Sequence, residues 1–176
     1  MSPPSAPEET FRAWLEEHRG IFVKVARSFA QGETEVGDLR QEMMFQLWGS
    51  LPRYAGQAKP STWIYRVCLN TALTWRRGVQ RRERRREPDA DITRLAADAA
   101  TPAEAAGHQD LVEQLYAALQ AMAPSDRALV LLMLDGLAYR EIAEVTGLTE
   151  NNVGVALTRA RKRLAALLKG VTDELE

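Results

Sequence analysis

Apolar residues recur at helical spacing along most of this chain and nowhere alternate as a half-buried strand requires. From Phe11, the stripe Phe11, Trp14, Leu15, Ile21, Phe22, Val25, Ala26 and Phe29 predicts one amphipathic helix that Gly32 ends. A second helix is expected from about Thr34, burying Val36, Leu39, Met43, Met44, Leu47 and Trp48. Leu51–Pro60 holds two prolines and a glycine, breaks the period, and reads as a loop. Ser61 offers an N-cap to a long helix from about Thr62 that stops before Pro88. Ile64, Val67, Cys68, Thr71 and Trp75 fall on its core side.

Residues 88–108 are rich in Ala, Asp and Pro, lack periodicity, and read as a flexible linker. Beyond them, Leu111, Leu115, Leu119 and Met122 share one helical face. Pro124 and Ser125 open another helix, through Leu129, Leu132 and Met133, which Gly136 closes. A short helix from Tyr139 to Val145 turns Ile142 and Ala143 inward, and Thr146-Gly147-Leu148 makes a tight turn. Thr149 then caps a last helix with Val153, Leu157, Ala160, Leu164 and Leu168 on its apolar side. The expected fold is all-α: a disordered start (1–8), a helical domain (9–87), the linker (88–108) and a second helical domain (109–170).

Charge changes this picture more than composition does. The 23 Lys and Arg against 24 Asp and Glu give a net charge of -1, which argues against a uniformly basic nucleic-acid binder. Yet seven arginines and one glutamate crowd residues 76–86, and 159–169 is acid-free with four cations in its first five residues. The segment between them, 88–158, holds three arginines and eleven acids. The averages hide two short cationic stripes. One cysteine, Cys68, excludes an internal disulfide or a thiolate cluster, and with only His18 and His108 no metal or cofactor is expected. No apolar run is long enough to span a bilayer and no secretory signal is visible, so the chain reads as cytoplasmic.

Two helices carry candidate chemistry. On the last one, Asn151, Asn152, Val155, Thr158, Arg159 and Lys162 oppose the apolar side, as suits a helix entering a major groove while its basic half holds phosphates. The plainer reading is a solvated helical hairpin. On the helix from Thr62, Trp63, Arg66, Asn70, Thr74, Arg77 and Arg81 form a second stripe. An indole, an amide, a hydroxyl and guanidinium groups in line are what unpaired bases and their phosphates need. The plainer reading is a half-buried Trp63 beside a solubilising arginine end. Asp38, Arg40, Gln41 and Glu42, beside Leu39, are either a solvated helix start or a docking surface.

The stretch DLRQEMMFQLWGSLPRYAGQAKPSTWIYRVCLNTALTWRR resembles region two of bacterial sigma-70-type sigma factors, and Leu111 to Leu168 resembles their region four. With no third region between them, the chain is similar to the compact extracytoplasmic-function group. The resemblance implies a specificity subunit that binds core RNA polymerase and directs it to promoter DNA. It implies polymerase contacts at Asp38, Leu39, Gln41 and Glu42. Minus-ten recognition and melting would fall to Tyr54, Gly56, Lys59, Ser61, Trp63, Arg66, Asn70, Thr74 and Arg77. Minus-thirty-five duplex would be read by Asn151, Asn152, Val155, Thr158, Arg159 and Lys162. The linker acids Asp89, Asp91 and Asp98 would lie near the template strand, and a cognate anti-sigma factor would hold the free protein. Related recognition helices often carry basic residues where this chain has Gly154 and Ala156.

Two other function classes remain at this point. A duplex-binding regulator would use the C-terminal helices alone and leave the Trp63–Arg86 stripe unexplained. An enzyme is the weakest reading, because the sequence shows no phosphate loop, no nucleophile beside a base and no paired ligand motif.

Overall fold

The computed structural model describes residues 6–86 and 106–173, and all regular structure among them is helical. Helices α1 (Ala6–Glu17), α2 (Arg19–Phe29), α3 (Gly32–Ser50) and α4 (Pro60–Arg86) make an N-terminal bundle. A single 3-10 turn, Leu51–Arg53, leaves α3. Helices α5 (Ala106–Ala121), α6 (Pro124–Leu134), α7 (Tyr139–Thr146) and α8 (Glu150–Asp173) make a C-terminal one. Most of the expected linker (88–108), including Asp89, Asp91 and Asp98, lies outside the described residues, as do residues 1–5, 87 and 174–176, whereas its last three positions, 106–108, belong to α5.

In the N-terminal bundle, α2, α3 and α4 pack on one another around Phe29, Leu39, Met43, Leu47, Ile64 and Cys68. Burying side chains of this size contributes about 1.5–3 kcal/mol each. Burial also raises the Cys68 thiol above its ordinary range, so it behaves as a small apolar residue. The predicted first helix is two helices. The backbone leaves helical geometry at His18 (φ -114, ψ 18), and Ile21 N–H bonds the His18 carbonyl instead. That break lets Trp14 and Phe22 reach one core from different directions, and His18 is itself partly buried. Gly32 opens α3 rather than closing the preceding helix, and α1 already begins at Ala6. Helix α4 starts at Pro60, so Ser61 lies in its first turn and is not its cap. Trp48, expected inside, is 42% exposed and meets Phe11 edge-on at 5.1 Å.

The C-terminal helices follow the sequence closely. Helix α6 ends at Gly136 (φ +75), where Leu137 N–H returns to the Leu132 carbonyl. Helix α7 ends at Gly147, also at φ +75, a conformation that strains any residue with a Cβ. Thr149 Oγ1 accepts from Asn152 N–H at 3.3 Å and caps α8. Val153, Leu157, Ala160 and Leu164 are buried as the wheel predicts, whereas Leu111 is 61% exposed and off the core face of α5.

The two bundles are not separate in this structure. Helix α2 packs on α5 and α6, α4 packs on α7, and one continuous apolar core runs through both.

Candidate nucleic-acid interface

The loop after α3 and the start of α4 build a small pocket. Tyr54 donates its hydroxyl to the Ala58 carbonyl at 2.8 Å, which folds the loop back on itself around Gly56 (φ +74). Its ring lies edge-on to Trp14 at 4.8 Å and to Trp63 at 5.6 Å. Trp63 Nε1 donates to Ser50 Oγ at 3.1 Å, fixing the indole at the pocket wall. Arg53, Tyr54, Ala55, Gln57, Trp63 and Arg66 line a cavity of about 280 Å³, room for one base-sized ring. Arg66 sits 5.7 Å from the Trp63 ring centre, and its Nε has no hydrogen-bond partner among the described residues.

The structure divides the predicted α4 stripe. Trp63 and Arg66 line this pocket, while Asn70 and Thr74 line a separate groove with Glu42, Gln46, Trp75, Gly78 and Arg82. Asn70, Thr74, Arg77 and Arg81 are exposed, Ser61 is half-buried, and Gly56 and Lys59 lie on the exposed side of the loop. At about 100° per residue these positions stay on one face of α4, so the division runs along the helix axis: Asn70 lies about 6 Å beyond Arg66, past the loop and beside Glu42 and Gln46 of α3.

On α3, Asp38 and Gln41 are exposed and Glu42 is half-buried, accepting from Gln46 Nε2 at 2.8 Å. The acids in the first turn are Glu33 and Glu35, so Asp38 lies too far along to be explained by the helix dipole. Leu39 is fully buried among the core side chains. It shapes α3 and cannot touch a partner, a correction to its expected contact role. Two residues missed from sequence complete the surface. Phe45, one turn beyond Gln41, is 68% exposed, and Trp75 of α4 joins Asp38, Gln41, Glu42 and Phe45 around one shallow hollow. Phe45 continues the Asp38, Gln41 spacing, a signal that could have found it.

The α8 face matches expectation. Asn151, Asn152, Val155 (49% exposed), Thr158, Arg159 and Lys162 all face outward. Beside them the Tyr139 ring of α7 lies against Gly154. A Cβ there would sit 3.4 Å from Tyr139 Cε2, an ordinary contact. Gly154→Ala is therefore expected to stabilise the protein by about 1 kcal/mol through helix propensity. Thermal unfolding should shift upward by about 2–4 °C.

Among the described residues there is no cluster able to hold a metal ion and no helix long and apolar enough to cross a membrane.

Comparison with known proteins agrees with this geometry. Residues 8–83 match the family model for Sigma-70 region 2, and residues 112–164 match that for Sigma-70, region 4. The extracytoplasmic-function RNA polymerase sigma factor SigG of Mycobacterium tuberculosis is 32% identical over 78% of this chain. The match covers 43% of that protein, so the chain spans less than half the length of this relative. The corresponding factor SigX of Bacillus subtilis is 23% identical, over 96% of this chain and 88% of its own. In fold, the chain resembles CnrH solved in complex with the cytosolic domain of CnrY (TM-score 0.62, 23% identity, 94% and 92% of the two chains covered). It also resembles the sigma factor RpoE solved with the anti-sigma factor NepR from Bartonella quintana (TM-score 0.64, 20% identity, 92% and 96% covered). With both regions matched in order over well more than half its length, the chain belongs to the sigma-70 family, in the extracytoplasmic-function group.

Proposed function

We propose that this chain binds core RNA polymerase, directs it to specific promoters and promotes opening of the DNA, acting in the cytoplasm and performing no catalysis of its own. The observation that carries the reading is the pocket of Tyr54, Trp63 and Arg66, together with a separate exposed recognition face on α8. A duplex-only regulator has a use for the second and none for the first. Residues 9–87 would bind polymerase and capture the opened minus-ten strand, and residues 109–170 would read the minus-thirty-five duplex.

Each part has a physical task. Asp38, Gln41 and Glu42 rim an apolar bed of Phe45 and Trp75, a surface suited to a basic amphipathic helix of the polymerase. Trp63 stacks on a base taken out of the duplex and Arg66 holds its phosphate. Binding only the unpaired strand pulls the melting equilibrium forward, so opening needs no chemical step. Lys59, Asn70, Thr74 and Arg77 extend the contact along the strand. Asn151, Asn152, Val155 and Thr158 meet base edges in the major groove while Arg159 and Lys162 hold phosphates. An anti-sigma factor would hold the free protein, as NepR is seen bound to a sigma factor of similar fold.

The test is transcription in vitro with core polymerase over genomic fragments. Discrete start sites that require the protein are the expected result. Tight duplex binding by the free protein with no dependent initiation would instead establish the regulator.

A further inference from the structure

We propose that this chain reads its upstream promoter duplex through A·T base pairs, using amide and methyl groups on the first half of α8 and no guanidinium. The inference rests on the duplex-reading role proposed for α8 and names the base class that this face takes. In the major groove adenine shows N7 and an amino group, thymine a carbonyl and a methyl. Guanine shows two acceptors, which arginine or lysine grips together. A recognition face therefore selects the bases whose groups its side chains complement.

Between Gly147 and Thr158 the chain has no lysine or arginine. Glu150 lies in the first turn of α8, where the positive end of the helix favours a carboxylate. Beyond it the exposed side chains of this stretch are Asn151, Asn152, Val155 and Thr158. They span about 10 Å of helix, the length of roughly three base pairs. The amides of Asn151 and Asn152 make no side-chain hydrogen bond among the described residues, and an amide pairs with adenine N7 and N6 together. Val155 holds its two methyl groups to solvent, where a thymine methyl would cover them. Thr158 Oγ1 donates to the Gly154 carbonyl at 2.9 Å, so its hydrogen is spent within the helix. What remains to it is a methyl and a lone pair, which suit thymine's methyl or adenine's amino group and cannot donate to guanine. Gly154 and Ala156 bring no polar side-chain atom to this face, and the exposed ring of Tyr139 lies against Gly154.

The cations of α8 begin one turn later and are themselves divided. Arg161 Nε donates to Met133 Sδ at 2.7 Å, and Arg163 pairs with Asp126, so both are turned to α6. Arg159 and Lys162 are left exposed beside the reading stripe. They hold phosphates, which fixes the helix in the groove and carries no sequence information. Base choice thus falls to the uncharged first half.

A library of promoter fragments with a randomised upstream duplex tests this. The full chain with core polymerase selects by transcription, and the full chain alone selects by binding at low salt. A·T pairs are expected to be enriched about tenfold or more over G·C at two or three neighbouring positions. Replacing thymine by uracil at those positions removes only the methyl and should weaken binding about fourfold for each methyl in contact. Val155→Arg changes a residue that is 49% exposed, so folding should survive, as thermal unfolding will report. It should bring guanine into one selected position. Enrichment of G·C by the native chain would overturn the inference, as would no base preference. An A·T preference indifferent to uracil would mean that duplex shape is read and would overturn the direct contact. Selection unchanged by Val155→Arg would overturn the placement of Val155 at the bases. The two arms also separate this inference from the proposed function. Enrichment of A·T by binding with no initiation in the other arm would sink the function alone, and initiation from G·C-rich upstream elements would sink the base class alone.

Discussion

Trp63→Ala is expected to reduce promoter opening by roughly ten- to a hundredfold while leaving association with core polymerase essentially unchanged. The magnitude follows from one base stack, worth about 1–3 kcal/mol, lost from the opened strand and absent from the duplex. The indole sits on the pocket wall at the start of α4, away from the hollow formed by Asp38, Gln41, Glu42, Phe45 and Trp75. Loss of opening should therefore separate from loss of polymerase binding. Permanganate reactivity of unpaired thymines reads the first, and fluorescence anisotropy with labelled polymerase reads the second. Because Trp63 also bonds Ser50 Oγ, Trp63→Phe keeps a ring but drops that bond, and most opening should survive it. Thermal unfolding of both variants reports any lost packing. Wild-type opening by a folded Trp63→Ala variant would remove Trp63 from strand capture and leave the groove of Asn70 and Thr74 as its site.

The helix-turn-helix was legible in the sequence because its determinants are local. Gly147 needs positive φ, Thr149 caps its own helix, and Val153 to Leu164 repeat at helical spacing. The all-helical fold was legible for the same reason. What escaped depends on contacts distant in sequence. The break at His18 has only a weak local mark, Gly20 two residues on, which an otherwise helical pattern tolerates. Trp48 and Leu111 obey the helical period yet face solvent, since periodicity gives a face and not its depth. Leu39 lies within the DLRQE-like segment but points into the core, and resemblance alone does not distinguish a contact from its support. The α4 residues named from the sequence fall in two grooves, a division that depends on where α3 crosses and that spacing along one helix does not contain. The docking of the domains left no sequence signal at all. Its residues, Lys24, Gln120, Arg127 and Glu144, are individually ordinary polar positions.

Arg127 is the least legible of these residues, and Arg127→Met is expected to destabilise the protein by about 3 kcal/mol. Its side chain is 3% exposed, inside a helix whose neighbours Ala128 to Leu132 are all buried. Among the described residues no carboxylate pairs with it. The guanidinium donates instead to three backbone carbonyls, Ser28 at 2.9 Å, Gln120 at 2.5 Å and Met122 at 2.9 Å, and lies 4.8 Å from the Phe29 ring centre. Desolvation first, and then the charge of Arg76, pushes its pKa down to about 10, so it remains protonated at neutral pH. Replacing a buried charge by an apolar side chain is neutral or favourable when its partners go with it. Here the partners are main-chain carbonyls that stay behind, and each buried orphan costs about 1–3 kcal/mol. Relief of the buried cation offsets part of that sum, which leaves the net loss near one such group or two. Lysine should not rescue, since one ammonium cannot span carbonyls on α2 and at the end of α5 as a planar fork does. Urea unfolding measures the change as a lower midpoint. Because Ser28 lies in the N-terminal domain and Gln120 and Met122 in the C-terminal one, the transition should also broaden or split, as the two domains lose the residue that couples their unfolding. A variant that melts as sharply and as late as the native protein would mean that water satisfies those carbonyls as well as Arg127 does.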